Sequence, residues 1–363
     1  MNFRKMFLAL LIVCVVTTGT AYACTVFKVT AKDGTMVSPR TMEFGYDLKS
    51  SVDVVPRGMD FASPAPDNKA GLKWENKYGY VGINAFGEFG MALDGLNESG
   101  LAYSALWYET DTKWQTVGPG ENDVALAHIL LGPWILGNFA NVQEVREGLK
   151  KIKVFGEMIP EMGMAPPLHS AVYDAKGGCI VIEYDDGELN VYDNPIGVMT
   201  NAPRFPWHVT NLRNYVGMSS GQATPVDYSG INLKQMGHGS GMFGLPGDIT
   251  PPNRFVKMAV LTHFADQVED AKGALNLSRH IMNNVDIVKG TAVDKDKNGK
   301  ITGSETTQWT SFRDLTNLVF YFNTYDNLTL RKINLKQFDF TSKKTFAMTG
   351  DEEQIIDITD RSK

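Results

Sequence analysis

Cys24 follows Ala21-Tyr22-Ala23, the small-x-small pattern of an export-leader cleavage site, behind Arg4-Lys5 and the apolar run 6–16. That run is eleven residues long, too short for a bilayer, which takes about 20. Residues 1–23 are therefore expected to be a signal peptide. The mature chain is expected to start at Cys24 and to work in the periplasm or outside the cell. A cysteine at a chain start carries two reactive groups. Thiolate is the attacking form, and an ordinary thiol, pKa about 8.5, is only partly ionised at neutral pH. The α-amine of the same residue, pKa about 7.7–8.0, lies within reach as a general base. Such a pair needs a fixed cation beside the thiol and an anion beside the amine. Arg40 and Glu43 answer that need, since a hairpin would fold residues 38–43 back alongside Cys24. On composition alone, an Arg and a Glu after a strand are more often a solvated pair. A lipid-bearing cysteine is the competing reading of Cys24, but Ala21 stands where an aliphatic residue is wanted and a strand begins at Thr25.

A second constellation is metal-like. Asp294, Asp296, Asn298, Lys300, Thr302 and Glu305 occupy the ligand places of a D-x-D-x-N-G-x5-E calcium loop. Its rival is a solvated hairpin turn, because Asn298-Gly299 is the favoured two-residue hairpin signal and 307–312 reads as strand. If the loop closes, it holds a structural Ca2+ ion at about 10⁻⁴–10⁻³ M affinity, as extracellular sites do. Gly217-Met218-Ser219-Ser220-Gly221 matches a nucleophile elbow in letters, but loop residues follow where that motif needs a helix. The six histidines show no H-E-x-x-H or other close ligand spacing, and no phosphate- or dinucleotide-binding glycine pattern occurs. No cofactor is expected for catalysis.

Seven ordered blocks add a resemblance over nearly all of the mature chain. They are Cys24-Thr25, PRTME at 39–43, DGLNESGL at 94–101, MTNAP at 199–203, NLRNY at 211–215, LPGD at 245–248 with PNRF at 252–255, and NTYD at 323–326. In these the chain resembles the choloylglycine hydrolases, the group of conjugated bile acid hydrolases and penicillin V acylases. The resemblance implies an αββα sandwich of two antiparallel sheets between helix layers. It also implies attack by cysteine on an amide carbonyl, a thioester intermediate and release by water. Carried over, Cys24 is nucleophile and, through its amine, base; Arg40 lies near the thiol and Glu43 binds the amine. Asn201, with a backbone N–H near Trp107, forms the oxyanion hole, and Arg254 stabilises charge at the centre. Two residues depart from the pattern: the family commonly has Asp at Glu43, and Asn or Tyr at Trp107. Both departures resemble the Gram-negative branch, closer to penicillin V acylases and N-acyl-homoserine-lactone acylases than to bile acid hydrolases. Phe44, Tyr46, Trp107, Met158, Met162 and Met164 are candidates for the acyl pocket, with ordinary core packing as an equal reading of each. A conjugated bile acid hydrolase is one alternative; a non-catalytic, exported, calcium-stabilised binding protein is another. The family's frequent tetramers imply a homotetramer.

The elements that must position these groups are strand-rich. Hairpin signals cover 25–37, and strands are predicted around 80–83, 91–95, 101–107, 169–173, 179–184, 188–192, 308–311, 318–322 and 347–348. Helices are predicted over 123–136, 142–151 (with Asn141 and Glu144 as a capping box), 252–264 and 268–283. Strands and helices come in runs without βαβ alternation, which favours an α+β fold of antiparallel sheets over a doubly wound sheet. No repeat or linker interrupts 24–363, so one domain is expected. Loss of Arg4 and Lys5 with the leader would take the net charge from −6 to −8. That balance disfavours nucleic acid and anionic membrane as partners and leaves a small N-acyl amide as the expected one. Of three cysteines, Cys14 leaves with the leader, and Cys24 and Cys179 are expected to stay unpaired.

Overall fold

The structure, a computed structural model, describes residues 23–350 and Ile355; the expected signal peptide lies almost entirely outside the described residues. The chain opens as the hairpin its sequence predicts. Strands β1 (Cys24–Val26), β2 (Val29–Thr30) and β3 (Met36–Phe44) are joined through a turn in which Gly34 takes a φ of +87°, a conformation open to glycine. The register sets Cys24 opposite Met42 and Val26 opposite Arg40.

Twelve further strands complete two large sheets: β4 (Ser51–Val55), β5 (Tyr80–Ile83), β6 (Asp94–Asn97), β7 (Leu101–Trp107), β8 (Leu168–Asp174), β9 (Cys179–Asp185), β10 (Glu188–Asp193), β11 (Ala292–Lys295), β12 (Ile301–Asp314), β13 (Val319–Thr324), β14 (Arg331–Asn334) and β15 (Lys344–Ala347). The first sheet runs β1-β3-β12-β13-β14, with β2 paired to β3 and β11 to β12. The second runs β10-β9-β8-β7-β6-β5-β4-β15. Every pairing within them is antiparallel.

Strand β7 shows how the layers stack. All seven of its residues are buried. Ala102 and Leu106 face a core shared with Val37, Leu96 and Phe255, whereas Leu101, Tyr103 and Ala105 face a second core with Trp134, Ile135 and Val145. Side chains alternate across a strand, so β7 has apolar matter on both sides. Helices α1 (Leu131–Asn138) and α2 (Val142–Leu149) cover the outer face of the second sheet. After α3 (Phe205–Asn211), helices α4 (Pro251–Phe264) and α5 (Ala271–Met282) cover the first. The fold is an α+β sandwich in four layers, αββα.

Asn141 caps α2 as expected: its Oδ1 accepts from Glu144 N at 3.0 Å. The helix predicted over 123–136 is different. Residues Ala125–Ala127 form a strand paired in parallel with Lys153–Phe155, and the α-helix begins only at Leu131. Its first turn lies so close to the second sheet that a Cβ on Gly132 would sit 2.3 Å from Ala92 O. That proximity is a tertiary constraint that local periodicity does not carry. Cys24 and Cys179 are both free and buried.

Candidate active site

Cys24, at the first position of β1, is buried between the sheets. Its Sγ lies 3.7 Å from Arg40 Nη2 and 3.9 Å from Met42 Sδ. Both neighbours come from β3, where i and i+2 share a face. Glu43, three residues after Arg40, lies on the other face of β3, bonded to Thr307 and within the electrostatic reach of Arg254 on α4. Arg40 is held by backbone carbonyls, Nη1 donating to Leu93 O at 3.1 Å and Nη2 to Ala105 O, and it lies over the Trp309 ring at 4.9 Å. Behind it, Asp94 binds Arg313 and accepts from Ser104 and Ser311 at 2.7 and 2.6 Å. This charge network is fully buried. Removing one partner of such a pair costs about 3–5 kcal/mol, because the other is left uncompensated.

Asn201 reaches the site on a segment laid along β1. Val26 and Met199 exchange backbone hydrogen bonds of 2.8 Å in both directions. Asn201 Oδ1 accepts from Cys24 N at 2.8 Å and from Arg254 Nη2 at 2.6 Å, while its Nδ2 donates to Trp107 O at 2.9 Å. Two donors on one side and a carbonyl on the other fix the amide's orientation, and the second Nδ2 hydrogen has no acceptor among the described residues. Two histidines grip the same segment: His169 Nε2 lies 2.9 Å from Thr200 O, and His208 Nε2 lies 2.9 Å from Asn201 O. Burial lowers the pKa of His208 to about 4, so it is neutral.

Arg254 stands on the first turn of α4 behind Pro251 and Pro252, its own N–H bonded to Thr250 O at 2.9 Å. Its Nη1 donates to Cys24 O at 2.7 Å and to Thr25 Oγ1 at 2.5 Å, and its Nε to Ile249 O at 2.9 Å. Burial lowers its pKa, and Glu43 and Cys24 act against that shift. Glu43 Oε1 accepts from Thr307 Oγ1 at 2.9 Å; Oε2 is buried with no hydrogen-bond partner among the described residues. Burial raises Glu43 to about 7, against the pull of Arg254. Burial also pushes the Cys24 thiol up, outweighing Arg40 and Arg254. A buried thiol of this kind stays protonated until a base takes its proton. Ala23 is still joined to Cys24 in the described chain, and its carbonyl accepts from Glu43 N at 3.1 Å.

An apolar cavity has Cys24 in its lining. Phe44, Trp107 and Met162 line it with Leu48, Phe86, Met91, Ile129, Ile159 and Leu168. Phe44 and Trp107 meet edge to face at 5.9 Å. Three expected pocket residues lie elsewhere. Tyr46 is 42% exposed, edge-on to Phe44 on the outer side, and Met158 and Met164 are 66% and 39% exposed on their loop. A loop has no period from which inward and outward positions can be told. The backbone amide just after Trp107 is also committed, since Tyr108 N donates to Pro167 O at 2.9 Å. The lining residues Ile129 and Leu168 and the two gripping histidines carry no sequence signal that separates them from core.

The calcium-loop residues do not converge. β11 and β12 pair directly, Asp294 opposite Gly303, so the segment is a hairpin. Asp296 Oδ1 is occupied by the turn's own amides, Asn298 N at 2.8 Å and Lys300 N at 2.9 Å. Glu305 turns inward and is buried. Among the described residues no group of three or more His, Cys, Asp or Glu is gathered to hold a metal ion. Ser219, in the elbow-like string, lies exposed on a loop and accepts from Gly221 N.

The family model for linear amide C–N hydrolases of the choloylglycine hydrolase family matches residues 24–350. The chain belongs to that family. Its sandwich is the N-terminal-nucleophile hydrolase fold, and the protein is a linear amide hydrolase. It is 33% identical over 329 residues to a bile salt hydrolase/transferase of Clostridium perfringens, covering 89% of this chain and 96% of the relative. It is 24% identical over 325 residues to a penicillin V acylase of Pectobacterium atrosepticum, covering 85% and 79%. The solved structure of a variant conjugated bile acid hydrolase from Clostridium perfringens superposes with a TM-score of 0.78 at 30% identity, over 93% of this chain and 99% of that one. Within the family, bile salt hydrolases stand nearer to this chain than the penicillin V acylase does.

Proposed function

We propose that Cys24, freed as the chain terminus, hydrolyses the amide of an N-acylated small molecule through a thioester, and that the acyl group is aromatic or a fatty chain. The observation that carries this reading is the convergence on one residue. Asn201 holds the Cys24 nitrogen, Arg254 its carbonyl, and Arg40 stands 3.7 Å from its sulfur. The α-amine takes the thiol proton, and Sγ adds to the amide carbonyl carbon. The oxygen that becomes negative meets the free Nδ2 hydrogen of Asn201, a donor worth on the order of 3 kcal/mol of barrier. The C–N bond then breaks and the leaving amine takes the proton back from the ammonium. Water, deprotonated by the same amine, splits the thioester, and the acid leaves with Cys24 restored. No metal or cofactor enters the scheme. Export by cleavage after Ala23 belongs to the proposal, and the start of the family match at residue 24 supports it.

The cavity of Phe44, Trp107, Met162, Ile129 and Leu168 suits an apolar acyl group such as the phenoxyacetyl of penicillin V or the chain of an acyl-homoserine lactone. A second reading, a conjugated bile acid hydrolase, is favoured by the higher identity to the bile salt hydrolase/transferase. Hydrolysis of penicillin V, a long-chain acyl-homoserine lactone and glycocholate by the chain starting at Cys24 tests both. The first two are expected to be cleaved, and Cys24→Ala or iodoacetamide is expected to abolish cleavage. Turnover that survives both treatments overturns the nucleophile, and a clear preference for glycocholate moves the assignment to the second reading.

A further inference from the structure

Glu305 matches the last place of a calcium loop in the sequence, but the fold gives it other neighbours. Strand β12 passes β3 with Thr307 opposite Glu43. Glu305, two residues earlier, shares the face from which Thr307 reaches the Glu43 carboxylate. Glu43 is 0% and Glu305 5% exposed. Each keeps one buried oxygen, Glu43 Oε2 and Glu305 Oε1, without a hydrogen-bond partner among the described residues. The charged groups that face Glu305 are Glu43 on β3, Arg254 on α4 and Asp294 on β11. Burial, then Glu43, raises Glu305 to about 8.

Two buried carboxyls with unmade hydrogen bonds are costly unless a cation joins them. Arg254 donates to four other acceptors: Cys24 O, Thr25 Oγ1, Asn201 Oδ1 and Ile249 O. The Cys24 nitrogen is differently placed. As a peptide N–H it already spends one hydrogen on Asn201 Oδ1, and Ala23, buried beside Glu43, occupies the space next to it. Once Cys24 is the chain terminus, its ammonium keeps that bond and has two further hydrogens to offer.

We propose that Glu305 is the second carboxylate of the nucleophile's amine site, and that with Glu43 it sets the proton affinity of the Cys24 α-amine. The inference rests on the reading of Cys24 as an N-terminal nucleophile. Glu305 is a positioning residue: the ammonium of the freed terminus draws its carboxyl back down from about 8 into the carboxylate form, and that negative charge in turn favours the ammonium over the free base and raises the pH at which the base appears. The calcium-like spacing of 294–305 then has a separate explanation, a hairpin whose last acidic residue is directed inward.

The test is the pH profile of kcat/KM for the chain starting at Cys24 and for Glu305→Gln, with Cys24→Ala alongside. Loss of the charge is expected to move the acid limb to lower pH by about one unit, the size of effect a close opposite charge exerts. A merely structural loss lowers the whole curve and leaves the limb in place. An unmoved or upward-moved limb, in a folded variant whose turnover still needs Cys24, overturns the inference and leaves the nucleophile intact. Turnover without Cys24 overturns the underlying reading instead. If Glu305→Gln fails to fold, Glu305→Asp carries the test. Its carboxylate is drawn back by one methylene, so the limb is expected to move the same way by less, and an unchanged limb again overturns the role.

Discussion

Cys24 carries opposing demands, and the neighbouring residues show how they are met. Burial holds the thiol protonated, while Arg40 and Arg254 favour the thiolate, so the sulfur becomes nucleophilic when its proton has somewhere to go. Asn201 has no such opposition, because both sides of its amide are committed to orientation. Asn201→Ala is therefore expected to lower kcat by about 10²- to 10³-fold with little change in KM, read from steady-state rates on the best substrate; a loss confined to KM would assign Asn201 to substrate binding. The placement of Cys24, Arg40 and Glu43 was legible in the sequence because a short hairpin couples them locally. Asn201 and Arg254 were legible only through resemblance, since each lies more than 170 positions from Cys24. Glu305 was visible as an acidic residue in a metal-like string, but its direction depends on strand register, which spacing alone does not give. Met158 and Met164 failed as pocket residues for a similar reason: a loop without periodicity has no inner face to infer.

Among the elements, the segment 199–201 is the one most dependent on its surroundings. It is paired to β1 through Met199 and gripped by His169 and His208 through successive carbonyls. The His208 ring stacks on Phe255 of α4 at 4.6 Å, so one side chain ties the oxyanion donor to the helix that carries Arg254. Its pKa, about 4 in the fold against an ordinary value of about 6.5, gives the sign of a stability effect. The unfolded chain binds the proton first, so the stability due to neutral His208 is present above about pH 6.5 and is lost as pH falls toward 4. The loss amounts to about 3 kcal/mol. Thermal melts are expected to show His208→Gln losing less stability than the wild type between pH 6.5 and 4; parallel curves would contradict it. Strands β5, β7, β8 and β9 and helices α2, α4 and α5 were readable from periodicity and caps. The stretch 123–130 was not, because pairing between Ala125–Ala127 and Lys153–Phe155 is a long-range choice that overrides a helical pattern.

At the scale of the molecule, the sandwich explains why the first residue of the family match lies in the interior. β1 is an edge strand of the first sheet, yet Cys24 is covered by the second sheet, by the 199–201 segment and by α4. A chain end can reach such a place only if what precedes it is removed or threaded out past Glu43, where Ala23 now lies. Elsewhere the hairpin of Val226–Tyr228 and Ile231–Leu233 leaves Val226, Tyr228, Ile231 and Leu233 exposed. The central claim, that one residue supplies both sulfur and amine, is tested most directly by the intact mass of the active protein before and after an acid-quenched reaction with its substrate. The expected result is a chain that begins at Cys24 with a free amine and gains one acyl group on that residue during turnover. An active protein that retains Ala23, or carries its acyl adduct on any other residue, would contradict it.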